Sequence, residues 1–160
     1  MVWLLVALKT TALDVARELV SPLVSEQTRI VVLCNGLGVE DRFAQWFGAS
    51  RVFGMLCFVA VNRERHDMIH HLAYGHVGLG HHTDDATERD LLQHLFEGTG
   101  VECECPRTLL EARWRNASTD RVAPASANGT PVMWAGVRVW VGVVMVRFSM
   151  DQPTRRAGFW

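Results

Sequence analysis

The sequence is short of several things at once. Among 160 residues there is one lysine, Lys9, and no G-x-G-x-x-G glycine fingerprint for a dinucleotide pyrophosphate. No apolar run reaches the roughly twenty residues of a membrane helix. Val132–Val146 comes nearest, with fifteen residues, but it carries Arg138 near its middle. A central arginine costs about 2.5–3.5 kcal/mol on insertion scales, so no span is expected. Met1–Leu8 is apolar, but no basic stretch precedes it and Lys9 ends it, so it reads as a buried strand rather than a signal peptide. A formal charge of −1 offers no basic face for nucleic acid. Four cysteines in a chain of this size fit a reduced, cytoplasmic protein better than a disulfide scaffold.

One absence is regional. Residues 116–160 contain no Leu, Ile, His, Cys, Glu or Lys, whereas residues 1–115 hold 16 Leu, all seven His and all four Cys. The five Arg and two Asp of the tail give it +3 and leave −4 for the body. A region rich in Val, Gly, Arg and Trp but empty of Leu is a departure from the design of the body.

What is present in the body alternates. Val2–Leu8, Arg29–Cys34 and Arg51–Val61 are short apolar runs, the pattern of strands covered on both faces. Between them lie a helix opened by Thr10 or Thr11, with Leu13, Ala16, Val20 and Leu23 at helical spacing, and a second over Val39–Phe47. Strand–helix alternation predicts an α/β fold with a parallel sheet and flanking helices. Met68–His71 and His76–Leu79 read as a short hairpin turning at Leu72–Gly75. A helix capped by Thr83, a strand over Val101–Cys105 and a helix from Thr108 to Arg115 follow. The text from Asn116 to Pro131 reads as loop.

Chemistry gathers at the strand ends. Asn35-Gly36-Leu37-Gly38 follows the second strand and precedes a helix, which suits either a tight turn or a ligand crevice at the carboxyl end of a parallel sheet. Lys9 ends the first strand at the same edge, where a cation can bind phosphate or polarise a carbonyl. His66, His70, His71, His76, His81, His82 and His94 invite a metal reading that their spacing does not support, because His70 and His71 point to opposite faces of a strand and no H-E-x-x-H occurs. No metal site is expected. Gly75, Gly78 and Gly80 suit a strand with close packing.

As a set, V-A-L-K-T-T-A-L at 6–13, C-N-G-L-G-V-E at 34–40, R-V-F-G at 51–54, I-H-H-L-A-Y-G-H-V-G-L-G at 69–80 and L-E-A-R-W-R at 110–115 resemble the 2-dehydropantoate 2-reductase (ketopantoate reductase) family. The resemblance covers about 115 residues. It implies the C-terminal half of an NADP-binding Rossmann-like domain over residues 1–106, the start of a helical domain over 107–115, and a divergent tail over 116–160. It implies NADP as cofactor and a small 2-keto acid as substrate. Lys9 matches the lysine near the nicotinamide, Asn35 the asparagine that touches cofactor and substrate, and Gly36 and Gly38 the glycines that shape its turn. His71 matches a histidine that opens the hairpin and is structural.

The departures shape the functional expectation. The pyrophosphate-binding strand and glycine loop of the family have no match. The family's catalytic lysine follows a W-x-K pattern, whereas Trp114-Arg115 is followed here by Asn116. The resemblance and the Leu-rich composition end at the same place, which predicts a chain cut at the front and frameshifted near Asn116, inactive as a reductase. The alternative is a non-catalytic binding or scaffold remnant, dimeric through an uncovered sheet edge. Translating the other two reading frames of the coding DNA after Arg115 tests the frameshift. One frame is expected to give a lysine followed by Leu-rich helical text, and its absence from both would make the tail a true divergent extension.

Overall fold

The structure, a computed structural model, describes residues 2–65, 68–119 and 142–147. The elements run β1 (Val2–Ala7), α1 (Leu13–Val20), β2 (Thr28–Val32), α2 (Val39–Phe47), β3 (Val52–Arg65), β4 (Met68–His81), α3 (Ala86–Gln93), β5 (Cys103–Glu104), α4 (Leu109–Thr119) and β6 (Gly142–Arg147). They form one six-stranded sheet in the order β5-β4-β3-β2-β1-β6. The β1–β2 and β2–β3 pairs are parallel, as alternation with α1 and α2 predicts. The sheet is otherwise mixed, since β3–β4 and β1–β6 are antiparallel.

Strand alternation sorts the core into two faces. Leu4, Val6, Ile30, Val32 and Val52 point to one face, where Ala16 and Val20 of α1 and Val39 and Phe43 of α2 cover them. Trp3, Val31, Phe53, Met55, Val77 and Leu79 point to the other and meet Leu92 of α3. Trp3 stands edge-on to Phe53 with ring centres 5.1 Å apart. Arg29 lies over the Trp3 ring and makes a bidentate pair with Glu88, at 2.8 and 2.9 Å, that ties β2 to α3.

Several local expectations change. The hairpin is much longer than the residues around Leu72–Gly75 suggest: β3 and β4 pair from Phe53↔His81 out to Arg65↔Met68. Tyr74 and Gly75 have positive φ (66° and 140°), and the register shifts between Phe58 and Val59 opposite them. The glycine there marks an irregularity within one strand rather than a reversal of the chain. His71 therefore sits mid-strand opposite Val61 and does not open the hairpin. Helix α3 is capped by Asp85, whose carboxylate accepts the N–H groups of Thr87 and Glu88, and not by Thr83. The strand expected over Val101–Cys105 shortens to Cys103–Glu104.

The C-terminal region also departs from expectation. Helix α4 continues through Asn116 to Thr119. Strand β6 pairs with all six residues of β1, from Val2↔Arg147 to Ala7↔Gly142, so the β1 edge is filled within the chain. The rest of the expected tail loop lies outside the described residues.

Helix α4 lies on the same face as α1 and α2, across β3 and β4. Thr108 accepts the N–H of Glu111 at its start (3.0 Å), and Asp84 accepts that of Leu109 (2.8 Å). Leu109, Ala112, Arg113 and Asn116 are its buried stripe, at the i, i+3, i+4, i+7 spacing of one helix face. Leu109 reaches the sheet because Gly54 and its partner Gly80 carry no side chain. A Cβ at Gly54 would stand 2.4 Å from Leu109 Cδ1 and 2.5 Å from Glu40 Oε1, and one at Gly80 would stand 3.0 Å from the Leu109 Cα. Gly54→Ala is expected to destabilise the fold by about 1–3 kcal/mol, as overpacking does. Urea denaturation checks this as a lower midpoint at unchanged slope.

Candidate functional site

Parallel pairing of β1 with β2 sets Val6 opposite Val32, and the Leu33 N–H bonds to the Val6 carbonyl at 2.9 Å. Lys9 lies three residues beyond Val6 and Asn35 three beyond Val32. Both therefore leave the sheet at the same carboxyl end, in neighbouring strands. Both are exposed, as are Gly36, Leu37 and Gly38. Lys9 leads into a short 3-10 turn over Thr10–Ala12, and Asn35 into the turn before α2.

That turn needs its glycines. Gly36 and Gly38 have φ of 114° and 74°, a region that residues with a Cβ rarely adopt. Gly38 stands at the N-cap of α2, which has no side-chain cap. Glu40 and Asp41 occupy the first turn of α2. A cleft of about 280 Å³ opens beside the turn, lined by Thr10, Leu13 and Asp14 on one side and by Gly36, Val39 and Arg42 on the other. Asp14 and Arg42 face each other across it at 3.6 Å.

Beneath the turn lies a buried ion pair whose role the sequence reading did not assign. Arg113 of α4 and Glu40 of α2 are each 4% exposed. Arg113 Nη2 donates to Glu40 Oε1, and Nη1 donates to the carbonyl of Cys34 at 2.6 Å. The Nε–H is buried without a partner among the described residues. A signal was available: Arg113 falls on the apolar stripe of its own helix, where a charge requires a partner. Cys34 is buried, and burial pushes its thiol pKa up, partly opposed by the Leu8 backbone and by Arg113. It is a core thiol rather than a nucleophile. Asn116, at the position of the expected lysine, is on the buried side of α4 one turn beyond Arg113.

The histidines are dispersed. His81 is buried, with its ring nitrogens engaged by the Ser50 carbonyl (3.2 Å) and Thr83 Oγ1 (3.0 Å). His70 bonds Glu64 at 2.6 Å, and His76 stacks on Phe58 with ring centres 4.6 Å apart. His82 stands 3.8 Å from Asp41 and His94 2.9 Å from Glu97. Among the described residues, no three His, Cys, Asp or Glu side chains form a group able to hold a metal ion. His66 lies outside them. Among the same residues, no helix is long and apolar enough to cross a membrane.

Residues 1–84 match the profile of the ketopantoate reductase PanE/ApbA family. The chain is similar to a 2-dehydropantoate 2-reductase of Nostoc sp., 34% identical over 116 residues that make up 69% of this chain and 36% of the relative. It thus spans little more than a third of that relative's length. Among solved structures, the 2-dehydropantoate 2-reductase of Geobacter metallireducens is 40% identical, with a TM-score of 0.63 over 69% of this chain and 37% of its own. That of Methylococcus capsulatus is 28% identical, with a TM-score of 0.61 over 72% and 38%. A D-mandelate dehydrogenase solved with NADH shares the fold at 18% identity and a TM-score of 0.59. The matched stretch includes both strand ends, the glycine turn and the long β3–β4 hairpin, and the chain belongs to the ketopantoate reductase family.

Proposed function

We propose that residues 1–115 form the nicotinamide- and keto-acid-facing part of an NADPH-dependent reductase site for 2-dehydropantoate. The observation that carries this reading is the placement of Lys9 and Asn35 each three residues beyond the last paired residues, Val6 and Val32, at the carboxyl ends of adjacent parallel strands, where open α/β sheets bind ligands. The groups present suit a nicotinamide dinucleotide. A turn without side chains at Gly36 and Gly38 admits close approach of a ribose or nicotinamide, and the uncapped start of α2 presents N–H donors. NADPH, when bound, would supply the hydride that reduces the 2-keto carbon. Lys9 would hold a phosphate or carboxylate oxygen by charge, and the Asn35 amide, both donor and acceptor, would orient the keto acid. The partner is then a small 2-keto acid, and the setting a reducing cytoplasm.

As these 160 residues, the chain is proposed to be catalytically silent. The sequence holds no glycine fingerprint for the pyrophosphate, and Asn116 stands where the family pattern has its lysine. An amide cannot serve as the general acid that protonates an alkoxide at neutral pH.

A non-catalytic binding domain is the second reading, and β6 favours it, because β1 is already paired on both sides within this chain.

Thermal melts with and without NADPH test the site. NADPH at about a hundred times its Kd is expected to add about 2.7 kcal/mol and raise the melting temperature by several degrees. Asn35→Ala should remove most of that rise. NADPH oxidation with ketopantoate is expected not to exceed the protein-free control. Turnover near the rate of a full-length reductase would overturn the proposed silence. A cooperative melt that NADPH and NADH leave unchanged would remove the cofactor site and support the second reading.

A further inference from the structure

We propose that Arg113 is a positioning residue that clamps both ends of the Asn35–Gly38 turn and so sets where Asn35 stands. The role in ligand binding rests on the reading of the site given above, whereas the clamp itself rests on geometry alone. One guanidinium reaches the residue just before the turn, through Nη1 to the Cys34 carbonyl, and the second residue of the helix just after it, through Nη2 to Glu40. Between those anchors, Asn35, Gly36, Leu37 and Gly38 are exposed, and none of them makes a side-chain hydrogen bond to a described residue. Two positive-φ glycines leave such a segment many alternative conformations. Its geometry must be imposed from its ends, and both ends are held by the same side chain.

The chemistry of the clamp favours arginine specifically. A planar fork donates in two fixed directions at once, to a carbonyl and to a carboxylate, whereas an ammonium is a point charge without a fork. Burial makes the arrangement sensitive. Both partners are almost fully removed from water, so loss of either leaves an uncompensated charge beneath the turn. Gly54 provides the room, since a side chain there would occupy the place of the Glu40 carboxylate.

Two variants of the full chain test the clamp, Arg113→Lys and the double change Arg113→Met with Glu40→Met. The first keeps the buried charge and loses the fork. The second removes both charges, so no unpaired ion opposes folding. The measurements are amide hydrogen exchange at Gly36–Val39 and in β3–β4, the melting temperature, and NADPH affinity by titration. For Arg113→Lys the expected result is a melting temperature within a few degrees of the parent, exchange at the turn faster by about tenfold, unchanged exchange in β3–β4, and NADPH binding weaker by about tenfold. The double variant should show the same local acceleration. Unaltered exchange at the turn in both variants overturns the proposal. So does acceleration spread evenly over turn and hairpin with a matching fall in melting temperature, which is the mark of a purely structural pair. If the parent chain fails to bind NADPH, the proposed cofactor site falls, and the exchange data still decide the clamp.

Discussion

The close approach of α4 to the sheet is the constraint on which the site depends. It requires that Gly54 and Gly80, partners across β3 and β4, present no side chain to the helix. Leu109 then drops to the strand backbone. The helical repeat does the rest: one turn further along the same face, Arg113 arrives below the end of β2. A site that reads in sequence as a four-residue turn after one strand is thus fixed by glycines in two other strands and by a helix some seventy residues later.

A charge placed on that stripe carries a cost. Desolvating a guanidinium and a carboxylate offsets much of their attraction, so a buried pair of this kind is weak evidence for added stability. Its hydrogen bonding is also incomplete, with the Nε–H unpaired among the described residues. An apolar residue at 113 would extend the Leu109–Ala112 contact with Leu56 and Phe58 without that cost. What an apolar residue cannot do is bond a backbone carbonyl and a carboxylate in two fixed directions. The interaction makes physical sense as a definition of geometry rather than as a source of folding energy.

Sequence reading succeeded where local pattern and tertiary demand agree. Val39–Phe47 was legible to the residue, because Gly38 and Gly48 bound it and its apolar positions repeat at helical spacing. The ends of β1 and β2 were legible to within one and two residues, because buried parallel strands are short apolar runs with polar stops. The β3–β4 hairpin was misjudged at Tyr74–Gly75, where a positive-φ pair within a strand looks in sequence like a turn between strands. The alternation in Gly78-Leu79-Gly80 carried more than it disclosed. Leu79 belongs to the core shared with α3, while Gly80 faces Leu109 of α4 and Gly78 lies against Leu56 and Phe58 of β3, and only knowledge of the helix's path separates those roles. The partners of Arg113 were hidden for the same reason, since they are 73 and 79 residues away.

Strand β6 was the least legible element, and its direction matters for the site. Its partner is β1, more than 130 residues away, and the Val-Gly-rich text around it lacks polar alternation. Because the pairing is antiparallel, Gly142 lies opposite Ala7, so the chain enters β6 at the Lys9 end and its own carboxyl end points away from the crevice. β6 therefore turns its amino end, not its carboxyl end, toward Lys9. On the other flank, β3 runs on past Gly54, its last pairing with β2, into the long hairpin with β4 instead of stopping at the crevice. Among β1, β2 and β3, which run parallel to one another, only β1 and β2 end side by side in loops that lead into helices. The cleft beside those loops, lined by Thr10, Leu13, Gly36 and Gly38, lies where the geometry of an open α/β sheet leaves room for a ligand.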